Sequence, residues 1–132
     1  MNVKKILLID DSDIDNFINK SVLQKANIAD EIIIETSAKD ALTYLKNVMD
    51  DESNSFPDVI FLDIKMPVMD GFEFLDEYVH FPEHAKSKCI IFMLSSSIDP
   101  RDAERAKQVK EVKSYFTKPL TQNLINTVLN SL

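Results

Sequence analysis

Short continuous hydrophobic runs recur along the chain and predict β-strands. Each run is bounded by polar residues and is too short to be a typical helix, and several are rich in β-branched residues. Because the runs are continuous rather than alternating, they are typical of strands that are covered on both faces, as in a parallel sheet. Four runs are strong and the last is weaker: Ile6–Ile9, Ile32–Ile34, Val59–Leu62, Ile90–Leu94 and Tyr115–Phe116.

The segments between these runs carry helical spacing. Ile14, Phe17, Ile18 and Val22 lie on one face of a first helix, with Ser12 and Asp13 as candidate N-caps. The other predicted helices are Ala38–Val48, a third from Phe72 that Pro82 ends, a fourth over Arg101–Lys110 after the Asp99-Pro100 start signal, and Thr121–Leu132. Strand and helix therefore alternate five times, which predicts a parallel sheet between two layers of helices.

Composition narrows the class of protein further. The chain has 132 residues, 45% of them hydrophobic and 28% charged, which fits one folded domain over residues 1–132 with no room for an output domain. A single cysteine, no secretory signal and no long apolar run predict a cytoplasmic protein without membrane insertion. A net charge of −7 argues against a nucleic acid partner.

Polar residues follow the predicted strands at their carboxyl ends, where ligands bind in open parallel sheets. Asp10-Asp11 follow the first strand, Asp63 the third, Ser95–Ser97 the fourth, and Lys118-Pro119 the fifth. A lone strand-terminal Asp is more often a cap or turn former, but several such groups at one sheet edge predict a shared site. Crowded carboxylates favour Mg²⁺, beside which a carboxylate can attack a phosphorus centre while an ammonium and a hydroxyl stabilise the developing charge.

Four stretches of the chain carry a family resemblance. They are Leu7–Asp11, Asp58–Gly71, Met93–Ser96 and Tyr115–Leu120, in this order and spacing. On these stretches the chain resembles the receiver domain of response regulators in two-component signalling. The resemblance implies a flavodoxin-like (βα)5 fold, a doubly wound five-stranded parallel sheet with strand order 2-1-3-4-5. One departure is that Glu111 and Val112 stand where the family often has Gly-Ala.

The resemblance also implies roles for individual residues. Asp63 would accept the phosphoryl group, and the Lys118-Pro119 bond would be cis. Ser95 and Lys118 would bind the phosphoryl group, and Tyr115 would be the aromatic residue that moves with Ser95. The ligands of Mg²⁺ (or Mn²⁺) would be Asp10, Asp11, Asp63 and the backbone carbonyl of Lys65.

These roles predict a signalling module rather than an enzyme with a separate substrate, since the domain would catalyse only its own phosphoryl transfer and dephosphorylation. Its donor would be a sensor histidine kinase or a histidine phosphotransfer protein. Phosphorylation would change the surface of the fourth helix, fifth strand and fifth helix, either for an unknown downstream protein or for a phosphorelay, and a homodimer through that surface stays open. The alternatives are a constitutive scaffold that does not use phosphorylation, a flavodoxin-like cofactor binder, and a metal-dependent phosphatase. The cofactor binder is disfavoured because the acidic run Asp10–Asp13 would repel a phosphate.

Overall fold

The computed structural model describes residues 3–51, 53, 55–96 and 99–132. Within them, five parallel strands form one sheet in the order β2-β1-β3-β4-β5, which confirms the predicted architecture. The strands are β1 (Val3–Ile9), β2 (Ala29–Glu35), β3 (Val59–Asp63), β4 (Ile90–Ser95) and β5 (Val112–Thr117). The continuous apolar runs form strands because both faces of the sheet are covered by helices.

Six helices accompany these strands in the described part of the chain, one more than the spacing predicts: five lie between strands and the last follows β5. They are α1 (Asp13–Ala26), α2 (Ala38–Met49), α3 (Gly71–Tyr78), α4 (Glu83–Lys86), α5 (Pro100–Lys107) and α6 (Gln122–Asn130). The additional helix, α4, is a single turn that no apolar repeat can reveal. The predicted fourth and fifth helices are therefore α5 and α6.

The carboxyl-terminal ends of α3 and α5 differ from the prediction by three residues, more than those of α2 and α6. The third helix, α3, ends at Tyr78, and Pro82 is instead the residue that precedes α4. The start of α5 is as predicted, with Asp99 as N-cap and Pro100 in the first turn, but the helix ends at Lys107 rather than Lys110. At α1, the N-cap is Ser12, whose side chain accepts a hydrogen bond from the backbone N–H of Asp15.

Alternate residues of the central strands point into two separate hydrophobic layers. On β1, Leu7 and Ile9 face the layer beneath α2, α3 and α5, whereas Ile6 and Leu8 face the layer beneath α1 and α6. The first layer is rich in aromatic residues and includes the fully buried Tyr78. These two layers fix the sheet, and with it the loops at its carboxyl edge.

Helix α1 has the reverse of the usual amphipathic arrangement. Its apolar residues Ile14 and Phe17 are each 72% exposed, whereas Asn16 and Asn19 are buried, 3% and 1% exposed. Ile18 is also exposed, and Leu23 is the apolar residue that α1 buries fully. The helical spacing predicted the helix correctly, but the apolar stripe at its amino-terminal end faces solvent.

Candidate functional site

Three loops meet at the carboxyl edge of the sheet and bring charged residues together. Asp10 follows β1, Asp63 is the last residue of β3, and Lys118 follows β5. The ammonium Nζ of Lys118 lies 2.6 Å from Oδ2 of Asp10 and 3.1 Å from Oδ1 of Asp63. Residues more than fifty positions apart in the chain thus share one small pocket.

A third carboxylate, from Asp15 in the first turn of α1, also contacts the lysine. Its Oδ2 accepts a hydrogen bond of 2.9 Å from Lys118 Nζ. Burial disfavours the charged form of Lys118, but the hydrogen bonds to Asp10 and Asp15 and the charge of Asp63 outweigh it and raise the pKa of the lysine. Sequence reasoning missed Asp15, because nothing in a local pattern indicates a contact between residues 103 positions apart.

The buried polar residues of α1 make hydrogen bonds to the backbone of two loops of the site. The side-chain amide of Asn16 donates to the backbone carbonyl of Asp10, at 2.8 Å. The side-chain oxygen of Asn19 accepts from the backbone N–H of Leu120, at 3.1 Å, just beyond Lys118 and the cis peptide bond to Pro119. The inward face of α1 is polar because it satisfies the backbone groups of these loops.

Asp63 is the most perturbed carboxylate of the site. Its side chain is 6% exposed. Burial first, and then the negative charge of Asp10, raise the pKa of Asp63 to about 6, although Lys118 acts in the opposite direction. The carboxyl group is therefore mostly ionised at neutral pH. Its ionised form is less stable than that of an exposed aspartate, and a further positive charge nearby would stabilise it.

The acidic residues have the chemistry and spacing of a metal site. Asp10, Asp11 and Asp63 each offer a carboxylate oxygen, and these atoms lie within 4.8 Å of one another. Around an octahedral Mg²⁺, neighbouring oxygens are about 3 Å apart and opposite oxygens about 4.2 Å, so the three carboxylates can share this ion once their side chains adjust. Lys65, whose carbonyl is a predicted ligand, lies exposed in the loop two residues after Asp63.

The single glycine of the chain keeps the loop after Asp63 tight. A Cβ atom on Gly71 would lie 2.6 Å from the carbonyl oxygen of Asp63 and 3.0 Å from Cα of Ile64. The N–H of Gly71 also donates to the carbonyl of Ile64, at 2.8 Å. Close backbone approach, rather than a left-handed conformation, therefore explains this glycine.

The remaining predicted residues lie around β4 and β5. Ser95 ends β4, is 2% exposed, and its carbonyl accepts from the backbone N–H of Lys118 at 2.8 Å. Tyr115 lies on β5 opposite Met93, half-buried in the wall of a cavity of about 230 Å³ between β5 and α5. Ser97 lies outside the described residues.

Fold and site together define a class, a doubly wound α/β domain with an acidic, lysine-containing pocket at the carboxyl edge of its sheet. The family model of the response regulator receiver domain matches residues 6–130, so the chain belongs to this family of two-component signalling domains.

Individual relatives agree with this assignment. The chain is 30% identical over 115 residues to response regulator Rcp1 of Synechocystis sp., covering 87% of this chain and 76% of the relative. It is 29% identical over 124 residues to the sensor histidine kinase CheAY of Helicobacter pylori, and there it covers 94% of this chain but only 14% of that protein. The crystal structure of a two component response regulator from Cytophaga hutchinsonii superimposes with a TM-score of 0.92 at 35% identity, covering 99% of this chain and 97% of the other.

None of the helices in the described ranges is long and apolar enough to cross a membrane.

Proposed function

We infer that this receiver domain accepts a phosphoryl group on Asp63 from a phosphohistidine and passes the signal on through its surface. The observation that carries the inference is the cluster of charged groups at the carboxyl edge of the sheet. The ammonium of Lys118 lies 3.1 Å from the buried carboxylate of Asp63. The carboxylates of Asp10, Asp11 and Asp63, which we call the acid triad, offer oxygens within 4.8 Å of one another. Such a triad fits a divalent cation, and the lysine provides a fixed donor for a phosphoryl oxygen.

The reaction needs little from the protein beyond positioning and charge. One oxygen of Asp63 forms a bond to phosphorus while the bond from phosphorus to the imidazole nitrogen breaks, and the electron pair of that bond leaves with the nitrogen. Mg²⁺ or Mn²⁺, held by Asp10, Asp11, Asp63 and the carbonyl of Lys65, would neutralise charge on the phosphoryl oxygens. Lys118 and the hydroxyl of Ser95 would donate to those same oxygens.

The donor is proposed to be a sensor histidine kinase or a histidine phosphotransfer protein, and an exposed apolar face of α1 is proposed as its docking surface. We define the α1 patch as Ile14, Phe17 and Ile18, which are 72%, 72% and 39% exposed. The patch belongs to the same two turns of helix as Asp15, whose carboxylate contacts Lys118 in the pocket. We therefore propose that a donor protein contacts this patch when it brings its phosphohistidine to Asp63, and that apolar contact there helps to hold it.

The output is proposed to run through α5, β5 and α6. The backbone N–H of Lys118, the first residue after β5, donates to the carbonyl of Ser95, and β5 pairs with β4 from Ile91 to Ser95. Movement of Ser95 and Lys118 toward a phosphoryl group would therefore shift β5. Tyr115 on this strand lines the cavity beside α5, so the packing between β5 and α5 would change as well.

Intact-mass analysis after incubation with Mg²⁺ and acetyl phosphate tests this proposal, with Asp63→Asn beside the wild type. We expect one phosphoryl adduct on the wild type, and none without a divalent cation or in the variant. No adduct on the wild type, together with no spectral change on adding beryllofluoride, would instead favour a constitutive scaffold.

A further inference from the structure

Asp15 differs from the other carboxylates around Lys118 because it stands outside the acid triad. Lys118 Nζ has three N–H groups, and three carboxylates surround it, with Asp10 at 2.6 Å, Asp15 at 2.9 Å and Asp63 at 3.1 Å. The carboxylates of Asp10 and Asp63 also belong to the triad that could hold a cation, whereas that of Asp15 does not. Asp15 is thus the one partner in this set whose charge a cation in the triad does not share.

The start of α1 fixes the position of this carboxylate. The backbone N–H of Ser12 donates to Oδ1 of Asp10 at 2.9 Å, and the Ser12 hydroxyl accepts from the backbone N–H of Asp15 at 3.2 Å. A continuous set of hydrogen bonds therefore links Asp10, the helix cap and Asp15. Because the lysine side chain is only 9% exposed while that of Asp15 is 35% exposed, Asp15 closes the solvent side of the ammonium.

Cation binding and phosphorylation both weaken the other two contacts of the lysine. Oδ2 of Asp10, which accepts the shortest of the three bonds, would have to share its charge with a cation. Asp63 would lose its negative charge when its oxygen forms the acyl phosphate bond. The contact with Asp15 is the one that neither event removes, so it can keep the ammonium within reach of Asp63 throughout.

We propose that Asp15 is a positioning residue that holds the Lys118 ammonium at the wall of the pocket while the acid triad binds its cation and Asp63 takes the phosphoryl group. This inference rests on the proposed function of Asp63. Without Asp15, the lysine would depend on Asp10 and Asp63 alone and would compete with the cation for their oxygens. The positive charge left uncompensated beside the triad would weaken cation binding further.

Asp13 provides a matched control. It lies in the same first turn of α1 and is exposed, so Asp13→Asn removes the same charge from the same helix end. If Asp15 acted only through the helix dipole or the general surface charge, the two variants would behave alike.

The experiment compares four proteins: the wild type, Asp15→Asn, Asp15→Glu and Asp13→Asn. Their Mg²⁺ affinity is measured from amide chemical shifts in an NMR titration. Their rate of phosphorylation by acetyl phosphate is measured at saturating Mg²⁺. We expect Asp15→Asn to bind Mg²⁺ about tenfold more weakly, the lower end for residues that orient metal ligands, and to be phosphorylated several-fold more slowly. Asp15→Glu should recover most of both properties, and Asp13→Asn should stay close to the wild type. Thermal melts of the four proteins should be similar, which separates positioning from a loss of fold.

Equal Mg²⁺ affinity and equal saturating rate in Asp15→Asn and Asp13→Asn would overturn the proposal. The same holds if Asp15→Glu fails to recover either property while its melt is unchanged. If the wild type binds Mg²⁺ but takes up no phosphoryl group, the proposed function of Asp63 fails, and the affinity comparison alone still decides whether Asp15 positions the lysine.

Discussion

Asp63 experiences opposing electrostatic effects, and together they make its ionised form less stable than that of an exposed aspartate. Burial and the neighbouring acids oppose ionisation, while Lys118 favours it, and the net result is a pKa raised from 3.8 to about 6. Such a carboxylate favours binding of a cation, because a positive charge beside it reduces the repulsion between Asp63 and the neighbouring acids. The same property makes the stability of the metal-free domain depend on pH.

The contribution of Asp63 to the stability of the metal-free domain should fall as the pH rises through this interval. The folded-state pKa of Asp63 lies above its unfolded value, so the unfolded state gives up the proton first and is favoured as the pH rises from 3.8 to about 6. Asp63→Asn removes this titration. We therefore expect Asp63→Asn to gain stability relative to the wild type on going from below to above this interval, measured by urea unfolding with a chelator present. A difference between the two proteins that does not change with pH would contradict this.

Helix α1 shows how an element can be predicted while its orientation is not. The spacing of Ile14, Phe17 and Ile18 indicates a helix with an apolar face, and the helix forms at that position. Spacing carries no information on which face meets the sheet, and the buried positions belong to Asn16, Asn19 and Leu23. The Nδ2 group of Asn16 and the side-chain oxygen of Asn19 are each compensated for burial by a hydrogen bond to one of the site's loops.

The α1 patch should matter for phosphorylation by a protein and not by a small molecule. We expect Phe17→Ser to slow phosphoryl transfer from a phosphorylated sensor kinase about tenfold or more. The kinase would lose its contact with the exposed aromatic ring, and central aromatic contacts often contribute this much to binding. Phosphorylation by acetyl phosphate should be unchanged, since Phe17 does not belong to the acid triad. The kinase is one first shown to phosphorylate the wild type.

Val79→Ser is the control for that variant. Val79 is also an exposed apolar residue, 36% exposed, but it follows α3 rather than lying on α1. Its replacement should leave both reactions as in the wild type. If Phe17→Ser is phosphorylated by the kinase at the wild-type rate, the α1 patch is not the docking surface.

For the molecule as a whole, the sequence predicts the sheet well and the contacts between elements poorly. The buried runs around Ile6, Val59 and Ile90 become β1, β3 and β4 because a parallel sheet requires continuous apolar strands. The convergence of Asp10, Asp63 and Lys118 also follows, since parallel strands end at one edge. Asp15 could not be predicted, because its contact with Lys118 depends on how α1 is rotated against the sheet.

The pairing of β4 with β5 offers a route by which an event at Asp63 reaches a distant surface. Ser95 pairs with Thr117 at the carboxyl end of these strands, and Met93 pairs with Tyr115 two residues earlier. Tyr115 packs against the same hydrophobic layer as Ala106 of α5. A shift of Ser95 and Lys118 would therefore alter the packing of β5 against α5 before it alters the opposite edge of the sheet, where β2 lies.

Hydrogen exchange with and without beryllofluoride and Mg²⁺ should show this asymmetry. We expect altered protection in α5 and β5 and little change in β2 and α2, because β2 lies at the opposite edge of the sheet from β5 and α2 follows β2. Asp63→Asn should show no such change, since it lacks the carboxylate that binds the analogue. Light scattering on the same samples distinguishes two forms of output: a doubled mass would assign the altered surface to a homodimer, and an unchanged mass would assign it to a separate downstream protein. Equal changes at both edges of the sheet would mean that the signal spreads through the whole fold rather than along β4 and β5.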